Sequence, residues 1–351
     1  RSGSADVGRR VLITGLGTFW GGKLAQALET EPDVEVIIGL DTEEPKVRLE
    51  RTEYVRSDEN YSILSRIVSA TKVDTIVHTF LVVDSTRTTG RRLHEINVIG
   101  TMNLFAAAST AGSTVRTVVV KSSALVYGSS PRDPRWFSET DTRRNPARTQ
   151  IERSLLEVEG YVRDFAIDNP HVDVALLRYS NVLGPKLSTP FSKSLRLPAV
   201  PSVFGFDPQL QLVHEDDVVR SLLFCINDGA SGIFNVGGDG LLPWSEIARI
   251  CGKPTIPLPF VGTNLAAEPL RRFGVDIPPE LLVLLRYGRG IDNRRLKDAG
   301  FTYRYTTAGA AEAFIRAVRL RNTIGDRSDE YRYHEGVERF FRHSPAVVRD
   351  E

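Results

Sequence analysis

The sequence has little cysteine, no long apolar run and no excess of one charge. Of its 351 residues only Cys225 and Cys251 are cysteines, too few for a disulfide framework or a thiolate metal site. No run reaches the roughly eighteen apolar residues that a membrane-spanning helix needs, and the first residues lack the apolar core of a secretory signal. The net charge of +1 indicates neither nucleic acid nor an anionic membrane as a partner. We therefore expect a cytoplasmic protein without a bound metal, with residues 1–9 as a linker.

The first half of the chain alternates short apolar runs with helical patterns. Strands are predicted at 10–15, 34–41, 52–58, 73–80, 116–123 and 172–178, and helices at 20–29, 61–70, 92–112 and 148–168. Continuous runs rich in Val and Ile, separated by helices, are typical of a parallel sheet that is covered on both faces. The predicted fold class is therefore α/β, with a doubly wound parallel sheet over residues 10–180.

The second half has a looser pattern with clustered prolines and short helices. It predicts a smaller C-terminal cap for the substrate over residues 181–322, interleaved with late strands of the sheet. Residues 323–351 are charged, yet the spacing of five residues is compatible with one helical face: Tyr331, His334, Val337, Phe340 and Phe341. This tail is predicted either as a terminal helix packed on the body or on a neighbouring subunit, or as a partly frayed, solvated segment.

Three glycines lie where the first strand turns into the first helix. The stretch "VLITGLGTFWGGKLA" places Gly15, Gly17 and Gly21 in this turn, where the backbone can approach a pyrophosphate that rests on helix N–H groups. Asp41 ends the second strand and is the residue type that accepts hydrogen bonds from an adenosine ribose. The alternative is a tight turn followed by an ordinary aspartate, but the order of strand, turn, helix and acid favours dinucleotide binding, with NAD preferred over NADP. Asp58, after the third strand, is predicted to cap a helix or to meet the adenine.

Several stretches together resemble the extended short-chain dehydrogenase/reductases, the NAD-dependent epimerase/dehydratase family. They are "TGLGTFWG" (14–21), "GLD" (39–41), "VDTIVHTF" (73–80), "NVIGTMNLFAAAS" (97–109), "KSSALVYG" (121–128), "LLRYSNVLGP" (176–185), "QLVHEDDVV" (211–219) and "GIFNVGGDG" (232–240). The chain also looks similar to actinobacterial proteins that resemble UDP-glucose 4-epimerase. The resemblance implies a Rossmann-type domain that holds NAD and a cap that holds a nucleotide sugar or a similar substrate.

The same resemblance implies a set of cofactor-binding residues. Gly15 and Gly21 match the outer glycines of the family's TGxxGxxG motif, whereas Thr18 stands at its middle glycine and Gly17 comes one residue early. The remaining residues expected to bind the cofactor are Phe19, Trp20, Asp41, Asp58, His78 and Ser122. For His78 the alternative is a hydrogen-bonded structural histidine at a strand end.

The catalytic residues of the family are matched only in part. Ser123 matches the serine or threonine that hydrogen-bonds the reacting oxygen, but Thr149 and Arg153 stand where the family has its tyrosine and lysine. A register shift of one residue gives Gln150 and Ser154 instead. A threonine hydroxyl is a far weaker acid than a tyrosine in such a site, and the arginine keeps its proton. Loss of this relay would leave a poor oxidoreductase without preventing NAD binding.

Other side chains are candidates for the missing acid or for substrate contacts. Tyr127 is a possible replacement acid, with simple packing as the alternative, and Glu152 either faces the cleft or is a solvated surface residue. Asn181 and His214 match family positions near the substrate, while Asp217 matches an aspartate that ties a loop to the next helix. Arginines of the segment 129–150 either embrace an anionic substrate or form a solvated loop: Arg132, Arg135, Arg143, Arg144 and Arg148.

The sequence leaves different functions open. The first is an NAD-dependent epimerase, dehydratase or reductase that acts on a nucleotide-linked sugar with an altered proton relay. The second is a Rossmann protein that binds NAD as a sensor or regulator without turnover. A remoter third is an enzyme for a lipid or polyketide ketone. By analogy with relatives that dimerise through two long helices, we also expect a homodimer.

Overall fold

The computed structural model describes residues 8–84, 88, 90–258, 277–324 and 337–348. Within them, the strands are β1 (Arg9–Thr14), β2 (Val34–Asp41), β3 (Thr52–Arg56), β4 (Thr75–His78), β5 (Thr117–Ser123), β6 (Asp173–Tyr179), β7 (Asn181–Leu183), β8 (Val200–Val203), β9 (Gln209–Leu210), β10 (Leu212–His214), β11 (Gly232–Val236), β12 (Leu242–Pro243) and β13 (Thr255–Leu258). The helices are α1 (Phe19–Leu28), α2 (Tyr61–Thr71), α3 (Gly90–His94), α4 (Gly100–Ala108), α5 (Gln150–Asp168), α6 (Pro190–Arg196), α7 (Glu215–Asp228), α8 (Trp244–Ile250), α9 (Pro279–Tyr287), α10 (Arg294–Asp298), α11 (Thr307–Ile324) and α12 (Val337–His343).

The central sheet is parallel throughout, with the strand order β11-β6-β5-β4-β1-β2-β3. The chain passes from β1 outward to β3 and then returns to β4 on the other side of β1, which creates a switch point between β1 and β4. One face packs on α2, α4 and α5, and the other packs on α1 and α7. Both faces are covered, which explains why strands such as β1 and β5 carry apolar residues at three consecutive positions, Val11–Ile13 and Val118–Val120. The predicted doubly wound α/β fold is confirmed.

The helix predicted over 92–112 is divided in the structure. It consists of α3, a π-helical turn (Glu95–Ile99) and α4, which ends at Ala108. Within the π-helical turn, the Asn97 amide bonds the backbone of Val82 on both sides, accepting from its N–H and donating to its carbonyl. This tertiary contact accounts for a local irregularity that apolar periodicity does not predict.

The second half of the chain contributes to two layers. β11 extends the central sheet beside β6, and α7 packs against α1. The smaller unit contains the strand pairs β7–β10, β8–β13 and β9–β12 and a separate apolar core. Phe191 and Trp244 lie at the centre of that core, with ring centroids 5.3 Å apart.

The described part of the tail, residues 337–348, packs on the body of the protein. Phe340 of α12 is buried in the core beneath α2, and the Arg66 guanidinium lies over the Phe341 ring at 4.0 Å. The Val348 N–H donates to the Ala70 carbonyl. Tyr331 and His334, which belong to the predicted helical face of the tail, lie outside the described residues.

The described part of the chain contains neither a membrane-spanning helix nor a cluster of metal ligands. None of its helices is long and apolar enough to cross a membrane. In the same residues, no cluster of three or more His, Cys, Asp or Glu side chains is arranged to hold a metal ion.

Candidate cofactor and substrate site

The turn between β1 and α1 requires glycine at two positions. Gly15 has a φ of +81°, and a Cβ there would lie 2.8 Å from the Phe80 Cα. A Cβ at Gly21 would lie 2.1 Å from the Gly15 carbonyl oxygen. This close approach of the first helical turn to the strand end is the backbone geometry that a phosphate-binding turn needs.

Thr18 caps the helix at this turn. Its hydroxyl accepts a hydrogen bond from the Gly21 N–H at 3.1 Å and donates to the Gly15 carbonyl at 2.6 Å. In the described residues, no acceptor binds the N–H groups of Phe19 and Trp20, the first two residues of α1. The replacement of the family's middle glycine by Thr18 therefore stabilises the turn and leaves two N–H groups at a helix N-terminus, where an anion is favoured.

Asp41 lies beside this turn at the end of β2. Its carboxylate is 3% exposed and accepts hydrogen bonds from the N–H of Gly17 at 2.9 Å and of Glu43 at 3.0 Å. Burial raises the pKa of Asp41, and the two backbone hydrogen bonds oppose this shift. One carboxylate oxygen is therefore fixed to the glycine turn and the other to the following loop, and each keeps a lone pair for a ligand.

The acidic residue that follows β3 does not cap the next helix. Asp58 is exposed, and the residue that caps α2 is Asn60, whose side chain accepts from the Ser62 N–H. The capping role predicted for Asp58 is therefore wrong, because the helix begins two residues later than a cap at Asp58 requires. A contact between Asp58 and adenine stays a prediction.

A buried acid missed by sequence reasoning lies next to Asp58. Glu59 is enclosed between His78 and Gly100, with its Oε1 atom 3.5 Å from His78 Nδ1. A Cβ at Gly100 would lie 2.1 Å from Glu59 Oε2, so glycine makes room for this carboxyl group. Burial raises the pKa of Glu59 to about 8. The sequence signal, an acid between two polar residues, did not distinguish it from a solvated loop residue.

His78 is enclosed in the same polar cluster. Its ring is fully buried, with Nδ1 2.6 Å from the Thr14 hydroxyl and Nε2 3.0 Å from the Thr101 hydroxyl. Since the Thr101 hydroxyl donates to the Asn97 carbonyl, it accepts from Nε2–H, and Nδ1 accepts from Thr14. Burial lowers the pKa of His78 to about 3. These contacts favour the structural alternative for this histidine.

Ser122 and Ser123 end β5 with side chains on opposite faces, as successive strand residues do. Ser122 is buried and its hydroxyl donates to Glu159 of α5 at 2.8 Å. Ser123 is half-buried, and its hydroxyl accepts from the Leu125 N–H at 3.2 Å. Of the two, Ser123 retains a hydroxyl proton for a ligand, because Ser122 gives its own to Glu159.

Tyr127 belongs to a buried network on the Ser122 side of the sheet. Arg178 donates to the Tyr127 hydroxyl at 2.7 Å, and this hydroxyl lies 2.8 Å from the Asn235 side-chain oxygen. The tyrosine ring stacks on Phe137 with 4.7 Å between centroids. Burial raises the pKa of Tyr127, although Arg178 opposes the shift. A relay needs a lowered tyrosine pKa, so these contacts favour the packing alternative.

Thr149 and Arg153, at the positions of the family's tyrosine and lysine, have other contacts. Thr149 is the N-cap of α5, in a capping box in which its hydroxyl accepts from the Glu152 N–H. Arg153 is exposed and donates to the Gln150 side chain at 3.1 Å. Their catalytic roles stay predictions, and the observed contacts are those of a helix start.

A helix-cap role for Thr149 predicts different effects for two substitutions. Thr149→Ala is expected to lower the free energy of unfolding by about 1 kcal/mol, whereas Thr149→Asn keeps a capping oxygen and is expected to change it little. Denaturant unfolding measures both. If the hydroxyl instead serves in chemistry, any oxidoreductase activity of the protein would be lost equally in both variants, although Thr149→Asn remains stable.

Glu152 and the arginine-rich segment differ from a simple solvated surface. Glu152 is 5% exposed and pairs with Arg143 at 3.0 Å, so the expectation of a solvated glutamate is wrong. Arg143 pairs with Glu152 and also donates to the carbonyls of Leu125 and Asn145. Its guanidinium is therefore bound within the protein. The exposed arginines, available to an anionic substrate, are Arg132, Arg135, Arg144 and Arg148.

Asn181, His214 and Asp217 all have contacts within the protein. Asn181 is half-buried and donates to the Gln211 carbonyl at 3.0 Å. His214 is the N-cap of α7 and stacks on Tyr305 with 3.9 Å between ring centroids. Asp217 accepts from the N–H groups of Arg304 and Tyr305, in agreement with the structural role predicted for it.

A second residue missed by sequence reasoning is Lys121 in β5. It is 3% exposed, and its ammonium group lies 5.1 Å from the centroid of the Trp20 ring and 5.5 Å from that of Tyr179. Its place directly after three consecutive valines, in "VVVKSS", is a signal that the sequence offered. Strand alternation from Ser123 puts both side chains on one face of the sheet.

Comparisons with known proteins agree with this architecture. A model of the NAD dependent epimerase/dehydratase family matches residues 11–237. An uncharacterized protein of Mycobacterium tuberculosis is 37% identical over 314 residues, which are 87% of this chain and 83% of that protein. UDP-glucose 4-epimerase of Thermotoga maritima, solved with UDP-glucose, has a TM-score of 0.69 at 18% identity, covering 89% of this chain and 99% of that chain. UDP-glucose 4-epimerase of Thermus thermophilus, solved with NAD, has a TM-score of 0.68 at 18% identity, covering 88% and 99%. The extent of the family match shows that the chain belongs to the NAD dependent epimerase/dehydratase family.

Proposed function

We propose that this protein binds NAD and acts on a nucleotide-linked sugar or a related carbonyl substrate, with a proton relay that differs from the usual tyrosine–lysine pair. One observation carries the NAD assignment. The Asp41 carboxylate is hydrogen-bonded to Gly17 in a turn that also presents the N–H groups of Phe19 and Trp20. An acid for the ribose and a helix N-terminus for the pyrophosphate thus lie side by side.

The residues present fit the cofactor. The pyrophosphate would rest on the N–H groups of Phe19 and Trp20, and Asp41 would accept from the adenosine ribose hydroxyls. The second nucleotide would then extend across the switch point from β1 towards β4 and β5, because β2 and β3 lie on the adenosine side. Bound NAD supplies a nicotinamide ring that accepts or returns a hydride.

The chain's own contribution at the reacting end is a hydroxyl at the carboxyl end of β5. Ser123 would hydrogen-bond the reacting oxygen of the substrate and orient it. Support for the substrate class comes from the family and from similar folds, such as the Thermotoga maritima epimerase that was solved with UDP-glucose. Asn181 and the exposed arginines of the segment 129–150 would contact the nucleotide part.

Substitution of Asp41 tests the cofactor assignment. Asp41→Asn is expected to weaken NAD binding by about 10- to 100-fold, because two hydrogen bonds to a charged acceptor become neutral or are lost. NADP affinity should fall less, since the carboxylate that repels a 2′-phosphate is gone. Calorimetric titration of NAD, NADH and NADP measures these changes.

The matched control is Asp33→Asn, at the opposite end of β2. Asp33 is exposed and forms an ion pair with Arg9 at 3.5 Å, so its neutralisation should leave NAD affinity unchanged. Equal affinities of the wild-type protein and Asp41→Asn for NAD would contradict the assignment, as would a wild-type protein that binds neither NAD nor NADH.

A second candidate function is an NAD-binding sensor with little or no turnover. The observations that favour it are the helix-cap contacts of Thr149 and the surface position of Arg153. The two candidates differ in one experiment, in which the NAD-loaded protein is mixed with a panel of nucleotide sugars and simple carbonyl compounds. Absorbance change at 340 nm or an epimerised product supports the enzyme, and silence across the panel despite confirmed NAD binding supports the sensor.

A further inference from the structure

Lys121 is an unusual buried cation at the carboxyl end of the sheet. It precedes Ser123 by two residues in β5 and shares its face, and its side chain is almost completely enclosed. Its ammonium group contacts the faces of Trp20 and Tyr179. Buried lysines are rare, and they are normally paired with a carboxylate or saturated with hydrogen bonds.

Lys121 has neither kind of partner among the residues that the structure describes. Its contacts there are the two aromatic faces, which attract a cation but accept no conventional hydrogen bond from it. The Tyr179 hydroxyl is itself committed to Ser221, 2.9 Å away on α7. Burial lowers the pKa of Lys121 to about 8, and no neighbouring charge offsets this effect. The ammonium group of Lys121 thus keeps hydrogen-bond donors for a ligand.

The position of Lys121 relative to the phosphate turn identifies what it faces. Trp20 belongs to the first turn of α1, whose N–H group would bind the pyrophosphate, and its ring touches Lys121. Because Asp41 ends β2, the adenosine would lie on the β2 side of that turn. β5 lies on the opposite side of β1, beyond β4. Lys121 therefore lies on the side of the cofactor site that receives the nicotinamide half.

We propose that Lys121 makes this site discriminate between the two redox forms of the cofactor, in favour of NADH. This inference rests on the proposed NAD binding and adds a specificity-determining residue to it. The nicotinamide ring is cationic in NAD⁺ and neutral in NADH, so a fixed positive charge nearby repels only the oxidised form. In a site shielded from water, one like charge within several ångströms changes affinity by about tenfold or more.

The experiment compares the dissociation constants of NAD⁺ and NADH for the wild type and three variants at pH 6.5. Wild type is expected to bind NADH about tenfold more tightly than NAD⁺. Lys121→Met keeps the length of the apolar stem without the charge, and it should lose this preference by gaining affinity for NAD⁺. Lys121→Arg keeps the positive charge and should keep the preference. Lys23→Met on α1, a half-buried lysine outside this contact, is the matched control.

The ratio of the two dissociation constants separates discrimination from mere packing. A purely structural role for Lys121 changes both affinities together and leaves their ratio as in the wild type, which would overturn the inference but not the NAD assignment. Absence of NAD⁺ and NADH binding in the wild type overturns both. Lys121→Gln, a second neutral variant with the same expected ratio, provides the readout if Lys121→Met does not fold.

Discussion

Replacing Glu59 with glutamine is expected to stabilise the folded protein at pH 8 and above by on the order of a few kcal/mol. Neither carboxyl oxygen of Glu59 has a hydrogen-bond partner within the described ranges of the chain. Burial raises the pKa of this group to about 8, although the nearby Thr14 hydroxyl opposes the shift, so its ionisation places a charge without a counter-ion in the interior. Glutamine has nearly the same size and no charge to bury.

Proton binding by Glu59 sets the direction of the pH effect. Its pKa is about 8 in the folded state and 4.5 when exposed, so the folded state retains a proton that the unfolded chain loses. The stability that this group contributes is complete below pH 4.5 and is lost as the pH rises through 8. His78 has the opposite effect at lower pH, since its pKa falls from 6.5 to about 3, and its effect is complete above pH 6.5. Between about pH 6.5 and 8 the stability contributed by Glu59 therefore changes with pH while that contributed by His78 stays constant.

Denaturant unfolding at pH 6.5, 7.5 and 8.5 measures how the stability contributed by Glu59 changes with pH. The free energy of unfolding should fall with pH more steeply in the wild type than in Glu59→Gln. Glu50→Gln is the matched control, because the Glu50 side chain is 69% exposed and should leave the slope unchanged. Identical pH slopes for wild type and Glu59→Gln would show that the carboxyl group is not held in its neutral form.

Replacing Glu159 with glutamine is expected to lower the free energy of unfolding by about 3–5 kcal/mol. Glu159 pairs with Arg178 at 2.6 Å, both side chains are less than one-tenth exposed, and Ser122 donates to the same carboxylate. Burial lowers the pKa of Arg178, but Glu159 more than offsets this, so the guanidinium stays charged. Without Glu159 that buried charge has no counter-ion, and leaving it uncompensated costs more than the pair itself contributes.

Glu157→Gln provides the control on the same helix. The Glu157 side chain is 44% exposed and lies 3.8 Å from His94, an arrangement worth less than about 1 kcal/mol. A double replacement, Glu159→Leu with Arg178→Met, should recover much of the loss because no charge is then buried. Equal destabilisation by Glu159→Gln and Glu157→Gln would contradict a buried ion pair beneath Tyr127.

These two acids illustrate why only part of the site was predictable. Glu59 and Glu159 look like ordinary polar residues in the sequence, because their burial depends on contacts with His78 and Arg178, which are 19 residues distant in each case. Thr149 was aligned with a catalytic position. In the structure it is the N-cap of α5, and its hydroxyl accepts from the Glu152 N–H. Lys121 directly follows three valines in β5, but only packing shows that aromatic rings lie where a counter-ion is usual.

The sequence by itself determined the alternation of strands and helices, the parallel sheet and the glycine turn that ends beside Asp41. These features depend on local periodicity and on backbone conformations that few residues can adopt, so they can be read from neighbouring positions. The tertiary structure alone decided which polar side chains are hydrogen-bonded within the protein and which keep polar groups for a proposed ligand. That choice depends on the face of each strand, the start of each helix and partners distant in the chain, and it separates Ser123 and Lys121 from Ser122 and Tyr127.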